Sequence, residues 1–347
     1  MNKSKNKKQN KQEFVCINFL SDDYLTFIIV FNNFAPYRTI CNHTNKLGMK
    51  EKIAFYILLV FIRIIALCPF WILYFISSCI YPFVYYIFRY RHNTVRKNLT
   101  NSFPQKSLKE IKAIEKKFYR HFCDHILETI KLANISKKEI QKRMKFTNCE
   151  FIEELLKKDG RPVFLYLGHQ GNWEFLSSIP TWLKTDIDVF QVYHPLTSKV
   201  MDRFMLWLRS KFKAQCVPQK QTLRTIITSV NQNKPSIFGL ISDQRPAKRP
   251  EPEWMTFLSQ ETAIITGAEA IGTKLNAHFV YGSMKCVKRG YYEITFEPII
   301  PAENEKFPYS KQYMRMLEKD IMEQPHIWLW SHNRWKWRRR IKNNNPS

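Results

Sequence analysis

The chain has 347 residues, 45% hydrophobic and 15% aromatic, which is enough to close a real core and excludes wholesale disorder. Its 55 Lys and Arg against 29 Asp and Glu give a formal charge of +26, which points to anionic partners: membrane lipid, a phosphorylated substrate, an acidic carrier protein or nucleic acid. Eight cysteines lie scattered with no Cys-x-x-Cys, a pattern that fits reduced thiols and neither a disulfide framework nor a zinc site.

The first 48 residues differ from the rest. Met1 to Gln12 is rich in Lys, Asn and Gln, and Phe14 to Asn45 shows no sustained period. Met49 is the expected biological start, with 1–48 a poorly ordered extension. From Ile53 to Phe88 the only formal charge is Arg63, and Ile64 to Phe88 has none. That tract is long enough for a bilayer, which needs about 20 apolar residues. Pro69 and Pro82 kink or divide it, so a tilted span, a re-entrant hairpin and a deep interfacial helix all stay open. A cleaved signal peptide is excluded because the tract is too long and begins too late. Arg89, Arg91, Arg96 and Lys97 follow at once, and no acid occurs between Lys52 and Lys109, which favours the anionic cytoplasmic face. The expected organisation is a membrane anchor over 49–90, a catalytic domain over 91–340 and a tail over 341–347.

Ser107 to Leu132 carries the period of a long amphipathic helix entered through a Ser107/Glu110 capping box. Ser136 to Phe146 and Cys149 to Lys158 read as two more helices. Strands follow at Val163 to Leu167, Ile187 to Tyr193 and Ser236 to Ser242, separated by helical stretches at Trp173 to Lys184, Ser198 to Lys213 and Thr222 to Gln232. This alternation predicts an α/β fold with a mainly parallel sheet flanked by helices. His278 to Val287 and Tyr291 to Glu297 flank Lys288-Arg-Gly290 as an antiparallel hairpin, so the sheet is mixed. In such sheets the site lies beyond the carboxyl ends of strands, where His169, His194 and Asp243 all fall.

The apolar strand Val163 to Leu167 runs into Gly168-His-Gln-Gly-Asn-Trp-Glu174. An imidazole titrates near pH ~6.5, so a carboxylate on one ring nitrogen leaves the other to accept a proton from an attacking group. Glu174 is the expected orienter of His169. Gly171 permits the bend, and backbone amides near Gly171 and Asn172 are expected to face a developing oxyanion. Asp243-Gln244-Arg245 opens a basic loop with Lys248 and Arg249, where the residues either position an acceptor or carrier or, for Asp243, simply cap the loop. His121 and His125, with Asp124 or Glu128, have the spacing of metal ligands on a helix, but no third ligand cluster accompanies them and no metal is expected. Trp328, Trp330, Trp335 and Trp337 are interleaved with Arg334, Lys336 and Arg338 to Arg340. That patch could stack on nucleobases, and in an anchored chain it reads better as an interfacial grip on anionic lipid.

At Gly168 to Glu174 the chain resembles the late lipid A biosynthesis acyltransferases, of the lauroyl/myristoyl type within the lysophospholipid acyltransferase-like superfamily. Tyr90 to Pro104, Ser242-Asp243-Gln244 and Trp328 to Lys336 are similar to further family stretches in the same order, and the resemblance spans roughly Met49 to Arg340. It implies a glycerol-3-phosphate acyltransferase-like fold, an inner-membrane enzyme with its catalytic domain on the cytoplasmic side, acyl carrier protein as donor and a lipid A precursor as acceptor. It implies no cofactor and no covalent acyl-enzyme. At Tyr193-His194-Pro195 the sequence departs from the family's Tyr-Arg-Pro, so an anion-clamping role is in doubt at His194, and Arg203 or Arg209 is expected to supply it. Glu261 to Gly267 is similar to a segment leading into a helix that lines the acyl pocket, and core packing is the plainer expectation for it. The alternatives are acylation of a lysophospholipid or aminolipid and, from another class, a membrane-tethered nucleic-acid-binding protein, which leaves the Gly168 to Glu174 string unexplained.

Overall fold

The computed structural model describes residues 47–247 and 252–337. The expected N-terminal extension up to residue 46, the basic loop residues Lys248 and Arg249, and Arg338 to Arg340 lie outside the described residues.

The apolar tract folds as two helices, α1 (Met49–Leu67) and α2 (Phe70–Pro82), with a π-turn continuing over Phe83–Ile87. Pro69 forces the break. A residue before proline is pushed out of the helical region, and Cys68 is extended at φ −56° and ψ 137°. α1 buries Phe55, Leu59, Ile62 and Ala66, and α2 buries Phe70, Leu73, Ser77 and Tyr81, so each helix has one inward stripe at helical spacing. Both stripes meet the long helix α4 (Leu108–Lys131), which starts with Ser107 accepting from the Glu110 amide and Glu110 reaching back to the Ser107 amide. The Lys131 ammonium donates to Ala66 O at 2.7 Å and Cys68 O at 2.8 Å, satisfying carbonyls left open at the end of α1. Tyr74 OH donates to Glu128 at 3.0 Å and Ser77 Oγ to Asp124 at 2.6 Å, so α2 runs antiparallel along α4. The opposite faces remain apolar and open: Ile57, Phe61, Ile64, Trp71, Phe75, Phe83 and Ile87 are each more than half exposed.

After α3 (His92–Ser102) and α5 (Lys137–Arg143) the chain builds a seven-stranded sheet. Its strands are β1 (Met144–Phe146), β2 (Val163–Leu167), β3 (Asp188–Tyr193), β4 (Gln215–Pro218), β5 (Ser236–Ile241), β8 (His278–Lys288) and β9 (Tyr291–Pro298), in the order β1-β9-β8-β2-β5-β3-β4. Only β8 and β9 pair antiparallel; every other neighbour is parallel. The central strand β2 is buried on both faces, which is why it reads as an unbroken apolar run. Helices α6 (Cys149–Asp159), α7 (Lys199–Arg209) and α8 (Thr222–Asn231) connect the parallel strands. A separate hairpin of β6 (Glu253–Phe257) and β7 (Gln260–Ile264), then α9 (Gly267–Lys274) and the late helix α10 (Pro308–Glu323), complete the fold.

Two expected helices are corrected. Met144 to Phe146 leaves the helix to pair in parallel with Tyr292 to Ile294, burying Met144 and Phe146 on one face. Trp173 to Thr181 is a 3-10 helix, since Ser177 and Ser178 bond back to the carbonyls of Glu174 and Phe175 and Pro180 has no amide hydrogen to donate. Replacing Lys131 with Ala should lower unfolding stability by about 1–3 kcal/mol, because the α1 carbonyls lose their donor. The check is a denaturant midpoint in detergent, with faster proteolysis near Cys68 as a second readout.

Candidate active site

Strands β2 and β5 are parallel neighbours with Leu167 opposite Ile241. Two residues beyond each strand stand His169 and Asp243, so the register alone delivers an imidazole and a carboxylate to the same end of the sheet. They touch. His169 Nδ1 lies 2.5 Å from Asp243 Oδ1, while Asp243 Oδ2 accepts the His169 amide and the Trp328 indole N–H, each at 2.8 Å. Asp243 is 1% exposed, and burial alone would raise its carboxyl. The neighbouring His169 and these hydrogen bonds outweigh burial and hold it below its ordinary value. An ionised Asp243 only accepts, so Nδ1 carries the ring proton and Nε2 keeps its lone pair. The Gln244 amide nitrogen donates to that lone pair at 3.1 Å. The His169 side chain is 17% exposed, so the ring is not sealed from solvent.

Glu174 is not the partner of His169, and here the expectation is corrected. Its carboxylate is held by both ends of the Arg209 guanidinium, at 2.7 Å from Nε and 2.6 Å from Nη2. Burial raises the Glu174 carboxyl, but Arg209, by charge and by hydrogen bonding, outweighs burial and holds it below its ordinary value. The 3-10 turn is the physical reason, because it swings Glu174 under the loop toward α7. Glu174 therefore grips Arg209 directly, and Arg209 is not free to act as an anion clamp.

The loop between His169 and Trp173 is stitched down on every side. Gly171 sits at φ +53°, and a Cβ there would strike the Met284 sulfur and the Tyr292 ring. Its N–H donates to Ile327 O at 3.0 Å, and its carbonyl accepts from His121 Nε2 at 3.2 Å. The expected Gly171 donor to an oxyanion is thus already engaged. Asn172 supports the loop: its side chain donates to the buried Glu128 at 2.9 Å and accepts from the Phe175 amide at 3.2 Å. His125 packs its ring 3.9 Å from that of Trp173, whose edge meets His169 at 5.3 Å. Burial pushes His121 down to about 4 and His125 to about 3, so both are neutral at pH 7 and serve as packing and hydrogen-bonding groups.

The C-terminal segment closes the site. Leu329 N donates to His169 O at 3.0 Å and Trp328 reaches Asp243, while Asn98 of α3 donates to the carbonyls of Trp330 at 2.9 Å and His332 at 3.0 Å. Trp328, Trp330 and Arg334 are buried, which removes these three from the expected aromatic and basic patch for nucleobases or lipid, while Trp335 and Trp337 are half-buried and Lys336 is exposed. His194 is exposed and turned to Pro195 O at 3.0 Å, and no hydrogen bond joins it or Arg203 to His169. Arg245 lies 5.2 Å over the Trp337 ring beside the site. Glu261 falls on β7, where Ala263 and Ile264 are buried, in keeping with packing.

The family model described as bacterial lipid A biosynthesis acyltransferase matches residues 40–337. No curated protein matches the chain.

Two substitutions separate the carboxylates. Asp243→Asn should lower kcat/KM by about 10²–10⁴ with the fold intact, because the ring loses its tautomer and its countercharge. Glu174→Gln should cost about 3–5 kcal/mol of stability by stranding Arg209, read as a shifted unfolding midpoint. Both carboxyls are depressed, so their stabilisation is present above their ordinary values of 3.8 and 4.5 and is lost as pH falls through the folded values. In Glu174→Gln the acid limb of the stability curve should flatten accordingly.

Proposed function

Since the chain belongs to the bacterial lipid A biosynthesis acyltransferase family, we propose that this acyltransferase moves a fatty acyl group from an acyl-carrier-protein thioester to a hydroxyl of a membrane-held lipid A precursor, with His169 as general base. The single observation that carries the reading is the His169 ring held at Nδ1 by the buried Asp243 carboxylate, which leaves the Nε2 lone pair as the proton acceptor, met only by the Gln244 amide. Nε2 takes the proton of the acceptor hydroxyl as its oxygen attacks the thioester carbon. The tetrahedral oxyanion then collapses, the C–S bond breaks, and the imidazolium returns its proton to the departing thiolate. Asp243 stabilises the imidazolium by contact and Glu174 at a distance, across its pair with Arg209. Gln244, already at the reactive nitrogen, is placed to donate its amide hydrogen to the oxyanion once the acceptor displaces it. Direct transfer suits this site, since no hydroxyl or thiol among the described residues hydrogen-bonds His169 Nε2.

The site belongs beside a membrane. Phe70–Ile87 is long and apolar enough to cross one by length and composition. Yet α2 is bound along its length to α4 and only its outer face is open, which favours helices lying in the interface with the catalytic body against the surface. Within the basic cluster after the anchor, Arg96 is spent on Glu115 and Arg91 on Ser331 O. Arg89 and Lys97 remain exposed to meet anionic phospholipid on the cytoplasmic side of the inner membrane.

Mass spectrometry of lipid A from a deletion strain should show one acyl chain missing, restored by the wild-type gene and not by His169→Ala. An unchanged lipid A would remove this acceptor and leave a lysophospholipid or aminolipid in its place.

A further inference from the structure

On the far side of the catalytic loop, between α2, α4 and the β8–β9 turn, lies a cavity of about 630 Å³. α2 contributes Ser78 and Tyr81, α4 contributes Lys117, Arg120 and Asp124, and the turn contributes Arg289. The charge on its wall is unbalanced. Arg289 binds Asp124 at 2.6 and 2.8 Å, and Ser77 Oγ takes the same carboxylate at 2.6 Å, so the one acid lining the cavity is fully engaged. Lys117 and Arg120 are exposed and have no carboxylate partner among the described residues. Arg120 rests 5.1 Å over the Tyr81 ring, which points its guanidinium along the wall without neutralising it. Three cations against one carboxylate leave two positive charges facing the cavity. The imidazoles of His121 and His326 at its floor are pushed down by burial and add polar, uncharged groups.

The helical segment that supplies one wall of the cavity carries exposed residues of the opposite character. Phe75, Ile80, Phe83 and Tyr86, around Ser78 and Tyr81 on the same helical segment, are all exposed. A cationic hollow opening onto an apolar helix face fits one kind of molecule, with an anionic head and hydrocarbon tails. We propose that this cavity binds the phosphate headgroup of an anionic phospholipid whose acyl chains lie along the outer face of α2, at a site separate from the acyl acceptor at His169. The proposal rests on the membrane reading above and not on the acyl-transfer chemistry.

The test is vesicle co-sedimentation of the full chain at fixed ionic strength, with phosphatidylcholine alone or mixed with phosphatidylglycerol. Lys117→Gln with Arg120→Gln should weaken binding to the phosphatidylglycerol vesicles about 30-fold, roughly fivefold for each lost cation, and leave binding to pure phosphatidylcholine unchanged. The charge-matched pair Lys157→Gln with Lys158→Gln, on exposed α6 positions, should lose less than about threefold, since a charge beyond a Debye length is screened. Equal losses in the two pairs would mean diffuse surface charge and overturn the proposal, as would no loss in the cavity pair. Inorganic phosphate without vesicles supplies a further arm. A thermal stabilisation by phosphate that needs Lys117 and Arg120, with no preference for phosphatidylglycerol, would mean a free-phosphate site and also overturn it. Acyl transfer assayed in detergent should be retained in the cavity pair, so a failure of this site and a failure of the His169 chemistry are told apart.

Discussion

The contact between His169 and Asp243 is what the rest of the site is arranged to preserve. It exists because β2 and β5 run parallel in register, so that residues two past each strand meet at one edge. A buried carboxylate is costly unless its oxygens are filled, and Asp243 meets that condition with one ring N–H, one backbone N–H and one indole N–H. Each of those donors has to be delivered by a different part of the chain. The indole comes from a segment more than eighty residues downstream in the sequence, and its position depends on the backbone bond from Leu329 to His169.

That requirement explains why four distant stretches of sequence form one unit. Asn98 of α3 holds the carbonyls of Trp330 and His332, the segment they belong to holds Asp243 and the loop, and the loop returns through His121 and Asn172 to α4. The same helix α4 carries the anchor through Lys131, Glu128 and Asp124. The two apolar helices α1 and α2 and the His169 loop are therefore joined through one helix, and α1 and α2 are part of the body and not a tether on a linker.

The parallel strands, the long capped helix and the β8–β9 hairpin were legible in the sequence because unbroken apolar runs, a Ser/Glu box and a Gly turn each have a local physical cause. The strands β1 and β4 were not, since three or four residues give no period and are strands only by virtue of the neighbours they pair with. His169 stood out from its strand-tip position, but its partner did not. Proximity in sequence favoured Glu174, whereas the partner is set by strand register and lies on the next parallel strand. The signal was present only in part, in the position of both His169 and Asp243 just past the ends of apolar strands; the equal offset of two residues emerges with the observed end of β5 at Ile241. Trp328 and Trp330 misled in the opposite way, because composition suggested a surface patch and the fold buries both, with the Trp328 indole bonded to Asp243.

The most direct measurement is nitrogen-15 NMR of imidazole-labelled protein, with the His169 signals identified by their loss in a His169 variant. In its neutral form the ring should carry its hydrogen on Nδ1 and leave Nε2 bare, and that preference should disappear in Asp243→Asn. A hydrogen on Nε2 in the wild-type protein would contradict the account, since the nitrogen opposite Asp243 would then be unable to accept a proton.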